Sequence, residues 1–249
     1  MNLISVIMPY YKKKSYIIKS INSVLNQTYQ NFEIIIVYDD TNKEDIDLIR
    51  KVSESDQRIK VVYNKKNIGA GLSRNKAIKN AKGIYLAFLD CDDLWHKNKL
   101  EKQLQFMKKK NSDFSHTSYE LIDSKGIKQE KREAKPLLNY ENLLRSCDIG
   151  LSTVIMKKKL FNNYCKFPNL KTKEDYVLWL KLAKKKIILH GLNTNLTRWR
   201  ITSNSLSTNI PQKCADAFLV YYKYMKFNFF KSCMSVFLLS INYIKKKYL

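Results

Sequence analysis

Residues 83–95 read Gly83-Ile84-Tyr85-Leu86-Ala87-Phe88-Leu89-Asp90-Cys91-Asp92-Asp93-Leu94-Trp95. An unbroken apolar run of strand length, Tyr85–Leu89, leads directly into three carboxylates within four residues. A run without polar alternation is what a strand covered on both faces requires, as in a parallel sheet between layers of helices. The preceding sequence repeats the pattern. Ile4–Met8 is a β-rich run stopped by Pro9, Phe32–Val37 (FEIIIV) is continuous and β-branched, and Ile59–Tyr63 is a third run. Between the runs, apolar residues recur at helical spacing: Ile17, Ile18, Ile21, Val24 and Leu25 behind a Ser15 cap, then Ile46, Ile49 and Val52, then Leu72–Ala81 closed by Gly83. Leu100, Leu104 and Met107 mark a fourth helix from Lys97 to Lys110. Four strands alternating with four helices predict an α/β fold with a doubly wound parallel sheet over residues 1–110.

In such a sheet, ligands bind outside the carboxyl ends of the strands, where the strand order reverses. Those ends carry Pro9-Tyr10-Tyr11, Asp39-Asp40 and Asp90-Cys91-Asp92-Asp93, so five carboxylates and a tyrosine pair share one rim. Asp90 and Asp92, one residue apart at a strand end, can turn toward one cation. Hard cations such as Mg²⁺ or Mn²⁺ prefer oxygen ligands and bridge substrate phosphates. Read alone, D-x-D also suits a solvated acidic turn capping a helix that starts near Trp95; the βαβ setting favours a nucleotide–metal site. Asp39-Asp40 either caps the next helix or accepts hydrogen bonds from a base N–H or a ribose hydroxyl, with Tyr11 placed to cover the base. The segment Asn67–Asn75 (NIGAGLSRN) has glycines that permit close backbone approach and brings Arg74 to the same rim. It is neither a dinucleotide fingerprint, since the third glycine is missing, nor a Walker A sequence. Glu174-Asp175 opens a helical pattern that runs to Lys184, a position where acids are also favoured by the helix dipole.

The chain has 249 residues, of which 45% are hydrophobic, and a formal charge of +24 from 46 Lys plus Arg against 22 Asp plus Glu. These values exclude a disordered, collagen-like or polytopic membrane protein and allow one large domain or two small ones. Three parts are expected: 1–110 as a nucleotide-binding half, 111–210 as a second half of the same domain, and a helical tail over 211–249. The second part begins with an alternating strand, Phe114–Ile122, a turn at Asp123–Gly126, and an apolar run at Gly150–Met156. Only seven of the 46 basic residues are Arg. A/T-rich codons would give the same lysine excess, so total charge by itself does not identify a polyanion partner. The tail interleaves Tyr221, Tyr222, Tyr224, Phe227, Phe229, Phe230 and Phe237 with Lys223, Lys226, Lys231 and Lys245–Lys247. It reads either as a helix in an anionic membrane interface or as a helix packed on the domain with a solvated Lys face. Five scattered cysteines with no C-x-x-C pair predict reduced thiols. No apolar stretch reaches spanning length, and the N-terminal segment lacks the order of a signal peptide. The expectation is a cytoplasmic protein, peripheral on the cytoplasmic face of the inner membrane. A basic nucleic-acid- or membrane-binding protein without enzymatic activity is the competing class; an acidic cleft opposes nucleic acid, because it repels phosphate unless a cation intervenes.

Taken in order, SVIMPYY, FEIIIVYDD, NIGAGLSRNKAI, GIYLAFLDCDDLW, KTKEDYVLWLKL and WRITSNSLS resemble the successive blocks of glycosyltransferase family 2, the inverting sugar transferases of GT-A fold. The resemblance spans residues 3–210 and is closest in kind to bacterial surface-polysaccharide enzymes. It implies that Pro9 and Tyr11 line the nucleotide base, that Asp39 or Asp40 holds the base or ribose, and that Arg74 contacts the nucleotide. It further implies that Asp90 faces the ribose and donor sugar, that Asp92, with Asp90, holds Mn²⁺ or Mg²⁺ on the diphosphate, and that Asp175 is the catalytic base. The block after strand two departs from the usual V-D-D-G-S, and Asp39 is the favoured equivalent. Thr202 stands where the family often has His, while Arg200 remains as a donor-site residue. The implied substrates are a nucleotide sugar, in the first instance uridine-linked, and a saccharide or lipid-linked saccharide acceptor.

Overall fold

The four apolar runs form the parallel half of a single sheet. The computed structural model describes residues 2–41, 44–202 and 209–248. Strands β1 (Ile4–Tyr10), β2 (Phe32–Tyr38), β3 (Ile59–Tyr63) and β4 (Tyr85–Phe88) alternate with helices α1 (Lys14–Leu25), α2 (Ile46–Glu54) and α3 (Ala70–Asn80). The pairs β1–β2, β2–β3 and β1–β4 are all parallel. Alternate residues of one strand serve opposite faces. Ile7, Ile35, Val37, Leu86 and Phe88 pack on the side of α3, while Ile4, Val6, Met8, Ile34 and Ile36 pack on the side of α1 and α2. Both faces of β1, β2 and β4 are therefore dry, which is why these runs show no polar alternation, while the edge strand β3 is partly exposed. The one charge in FEIIIV, Glu33, is buried but matched: Ser5 Oγ donates at 2.7 Å, Lys60 Nζ at 2.6 Å and the Lys82 amide at 2.6 Å.

Beyond β4 the sheet becomes mixed. The remaining elements are β5 (Leu94–Trp95), α4 (Lys99–Lys109), β6 (Phe114–Ile122), β7 (Lys128–Arg132), β8 (Leu137–Leu138), α5 (Tyr140–Arg145), β9 (Ile155–Lys157), α6 (Glu174–Lys184), β10 (Leu189–Arg200), α7 (Ile210–Leu219) and α8 (Phe229–Tyr248). Among the described residues, the strand order is β3-β2-β1-β4-β9-β6-β10-β5, with β7 beside β6 and β8 beside β10. The β9 strand runs antiparallel to both β4 and β6, and β6 and β10 are parallel. The chain steps outward from β1 to β3 and then returns to the other side of β1, so the switch point lies between the carboxyl ends of β1 and β4.

The segment after Asp93 is not a helix starting near Trp95, the alternative reading of the acidic turn, while the helix expected over Lys97–Lys110 is present as α4. Leu94–Trp95 pairs antiparallel with Thr197–Arg198 of β10, and α4 begins only at Lys99. The Trp95 indole accounts for this, since its Nε1 donates to the Ser152 carbonyl at 2.8 Å and draws the chain into the sheet. The acidic residues therefore end a strand and turn into another strand, leaving their side chains outside any helix cap.

The C-terminal helices are joined to the main core. Ala217, Val220, Tyr221, Met225 and Leu239 belong to the cluster on the α3 and α6 side. Asp216 accepts from the Thr172 amide and hydroxyl, both at 2.8 Å, and Asn242 Nδ2 donates to the Arg145 carbonyl at 2.8 Å. The outer face of α8 stays exposed at Phe230, Met234, Phe237 and Ile244. No helix among the described residues is long and apolar enough to cross a membrane. All five cysteines are free. The predicted SNSLS portion of the last block, Ser203–Ser207, lies outside the described residues, as do the side chains of Lys246 and Lys247.

Candidate active site

At the end of β2, Asp39 is buried and its carboxylate is filled. It accepts from the Ile68 and Gly69 amides and from Asn64 Nδ2, each at 2.8 Å. Gly69 has φ +86°, the left-handed region that glycine enters without strain, and it caps α3. Asp39 thus ties the NIGAG loop to the rim, and the fold brings Asp40 to the rim beside it, also buried. Tyr10 is inside, stacked on Tyr38 at 5.3 Å, and donates to Asp45. Tyr11 is turned out and is 46% exposed at the mouth, with Pro9 half-buried below it. The Cys91 thiol donates to the Pro9 carbonyl at 3.2 Å, joining the ends of β1 and β4.

Arg74 connects the two halves. From α3, its Nη2 donates to Asp90 Oδ1 and its Nη1 to Glu174 Oε1, each at 2.6 Å. Burial opposes the charge, but the two carboxylates outweigh it and raise the Arg74 pKa further. Its Nε is buried with no hydrogen-bond partner among the described residues. The close approach of α3 to α6 requires Gly71, where a Cβ would stand 2.8 Å from the Pro168 carbonyl and 3.0 Å from Glu174 Cγ.

The three acids after β4 have separate partners. Asp90 is half-exposed and paired with Arg74. Asp92 is met by Lys13 Nζ at 2.6 Å; burial pushes its carboxyl up, Lys13 pulls it back and Asp90 adds to the rise. Asp93 is fully enclosed, accepting from Ser152 Oγ at 2.5 Å and the Arg200 amide at 2.8 Å, and burial pushes its carboxyl well up. The Arg200 side chain donates to the carbonyls of Asp92 (2.9 Å), Asp123 (2.9 Å) and Ser124 (3.1 Å) and lies over the Tyr16 ring at 4.8 Å. Its guanidinium therefore shapes the acidic turn from behind, with its donors directed at main-chain oxygens.

At the start of α6, Lys173 adopts a left-handed conformation (φ +61°), which turns Glu174 and Asp175 toward Arg74 and the rim. Burial, reinforced by the neighbouring Glu174 charge and opposed by Arg74, pushes the Asp175 carboxyl up to about 7. That is near the operating range of a general base at neutral pH.

Among the described residues, no group of three or more His, Cys, Asp or Glu side chains is set to hold a metal ion. Asp92 alone suits a hard divalent cation whose other ligands are phosphate oxygens and water, the usual arrangement for Mg²⁺ on a nucleotide. The residues therefore fit a metal that arrives with its substrate rather than one held in a protein cage.

Of the residues expected at one rim, Arg74 joins Asp90 to Glu174 beside Asp175, Arg200 reaches the Asp92 carbonyl, Pro9 meets Cys91, and Tyr11 and Asp39-Asp40 follow the ends of β1 and β2. Sequence reasoning did not single out Lys13, which sits in a run of three lysines and carries no local signal, or Ser152, an ordinary serine within an apolar run. Glu174 was visible only as half of an acidic pair.

A family described as Glycosyl transferase family 2 matches residues 5–164. The Bacillus subtilis protein TuaG, named for teichuronic acid biosynthesis, is 36% identical over 98% of this chain and 97% of its own length. The Escherichia coli protein WfgD, named as a UDP-Glc:alpha-D-GlcNAc-diphosphoundecaprenol beta-1,3-glucosyltransferase, is 39% identical over 83% of this chain and 80% of its own. The crystal structure of S. aureus TarS with UDP-GlcNAc superposes with a TM-score of 0.71 at 23% identity, covering 88% of this chain and 65% of that one. The chain spans a smaller share, 34%, of a longer glycosyltransferase of Rickettsia bellii. The chain belongs to glycosyltransferase family 2, and its fold is that of the GT-A enzymes.

Proposed function

We propose that this chain transfers a sugar from a uridine diphosphate sugar to a lipid-linked saccharide, with inversion at the anomeric carbon, during assembly of a surface glycan. The observation that carries the reading is the Arg74 bridge. It ties Asp90, at the end of β4, to Glu174, the neighbour of Asp175 at the start of α6, beside the switch point. The names of TuaG and WfgD supply the glycan and lipid-linked context.

Pro9 and Tyr11 flank the base, Asp40 faces the base or ribose, and Asp39 acts through the loop it holds. Asp90 orients the ribose and donor sugar, and Arg74 holds it in place through their 2.6 Å ion pair. Asp175 takes the proton from the acceptor hydroxyl as that oxygen attacks an oxocarbenium-like centre, a contribution of about 10²–10⁴-fold. Asp92 is the protein ligand for Mn²⁺ or Mg²⁺, which when bound offsets charge building on the departing diphosphate. Arg200 and Asp93 hold the main chain around Asp92. The exposed face of α8 and its flanking lysines support peripheral attachment to an anionic membrane, where a lipid-linked acceptor resides.

A panel of UDP-, GDP- and other nucleotide sugars with Mn²⁺ or Mg²⁺, scored by thermal shift and by nucleoside diphosphate release onto a lipid-linked acceptor, tests this. UDP sugars should stabilise the protein and turn over. Stabilisation by no nucleotide sugar, or only by one with a different base, overturns the donor assignment.

A further inference from the structure

Lys13 closes the corner of the site where the metal ligand lies. It follows the β1 end, after a left-handed Lys12 (φ +50°), and precedes the first turn of α1. Its Nζ lies 2.6 Å from Asp92 Oδ2 and 3.4 Å from Thr202 Oγ1, with 26% of the lysine side chain and 15% of the aspartate side chain exposed. The other two acids of the turn have fixed partners. Asp90 is paired with the buried guanidinium of Arg74, and Asp93 with a main-chain amide and a serine hydroxyl. Asp92 alone is matched by an ammonium on a flexible, partly exposed stem. A divalent cation approaching Asp92 alone meets this ammonium at close range, and two cations in a partly desolvated corner repel strongly. A cation carried on a diphosphate does not, because the phosphate oxygens offer the displaced ammonium a new anionic partner for which lysine, as a point charge, is suited.

We propose that Lys13 is a built-in counter-cation that keeps Asp92 from binding a free divalent ion and swings onto the diphosphate when metal and nucleotide arrive together. Lys13 thereby makes the site selective for the metal–nucleotide complex and enforces joint entry. The inference rests on the reading of Asp92 as the metal ligand.

The test is Mn²⁺ binding to the full-length protein, measured by loss of the free-ion electron paramagnetic resonance signal, with and without UDP. Wild type should bind Mn²⁺ weakly alone and tightly with UDP. Lys13→Met should bind Mn²⁺ without UDP at least tenfold more tightly than wild type, and UDP without metal several-fold more weakly, while Lys13→Arg should resemble wild type. Lys13→Gln gives a second neutral variant should Lys13→Met melt early. A gain in metal affinity is an outcome that general loss of structure does not produce. An unchanged or weaker Mn²⁺ affinity in the neutral variants overturns the proposal. If wild type with UDP binds Mn²⁺ and Asp92→Asn does not, that failure belongs to Lys13 alone. If wild type with UDP binds no Mn²⁺, the metal reading falls and Lys13 with it.

Discussion

At the scale of single residues, the acidic rim works because its charges are matched individually rather than diluted by the basic excess around them. Asp175 accepts from the Tyr176 amide at 2.7 Å and has no direct ion pair among the described residues. Its carboxyl is pushed up to about 7 by burial and by Glu174, against the pull of Arg74. The protonated form cannot accept a proton, so transfer should rise as pH passes upward through 7 and level off above it. Asp175→Asn should remove that limb and lower transfer about 10²–10⁴-fold, while the thermal shift given by UDP persists. Transfer near the wild-type rate would disqualify Asp175 as the base. Arg74→Met should leave Glu174 and Asp90 facing one another without a cation. It should lower stability by about 3 kcal/mol, the low end for breaking a buried pair because Asp90 keeps some solvent, as read from urea unfolding. The sequence made Arg74 conspicuous as one of seven arginines, but its second partner lies 100 positions away and no local pattern could show it.

At the scale of elements, the site depends on how closely α3 can approach α6 and on how firmly the loop before α3 is held. Gly71→Ala inserts a Cβ 2.8 Å from a carbonyl oxygen that has little room to yield. The resulting shift should lower stability by about 1–3 kcal/mol and weaken UDP binding through Arg74, measurable together in one thermal-shift titration with UDP. An alanine variant with wild-type melting and UDP affinity would show that this approach is not needed. The parallel half of the sheet was legible because strands dry on both faces leave continuous apolar runs. The rest was not. β10 carries register shifts between Leu192 and Asn195 and between Asn195 and Thr197, which break the two-residue period that a strand normally writes into sequence. β7 is Lys128–Arg132, an almost wholly exposed and charged strand with no apolar face to read. Leu94–Trp95 is too short for any period and is a strand only because β10 and Ser152 receive it.

At the scale of the whole molecule, a charge of +24 surrounds a site built of acids, and the tail carries both lysines and an exposed apolar face. One side of α8 is fastened to the domain through Leu239 and Asn242, so removing the tail would also remove core residues such as Val220 and Tyr221. Its other side sets Phe230 (83% exposed), Met234, Phe237 and Ile244 at successive steps of four, three and seven residues, which keeps them on one helical face. No charged residue interrupts the helix between Lys231 and Lys245. An uncharged aromatic stripe bounded by lysines suits the interface of an anionic bilayer, with about 1 kcal/mol from each lysine near the surface and the remainder from buried apolar area. The triple substitution Phe230→Ser, Met234→Ser and Phe237→Ser alters only exposed side chains and should leave melting and UDP binding near wild type. It should abolish flotation with vesicles containing phosphatidylglycerol. Raising salt from 0.1 to 0.5 M should weaken wild-type flotation only in part, because screening removes the lysine contribution and leaves the apolar one. If the stripe instead seats a second copy of the chain, wild type will be dimeric by light scattering and the triple variant monomeric, with flotation equal in both, and the membrane reading of α8 would be lost.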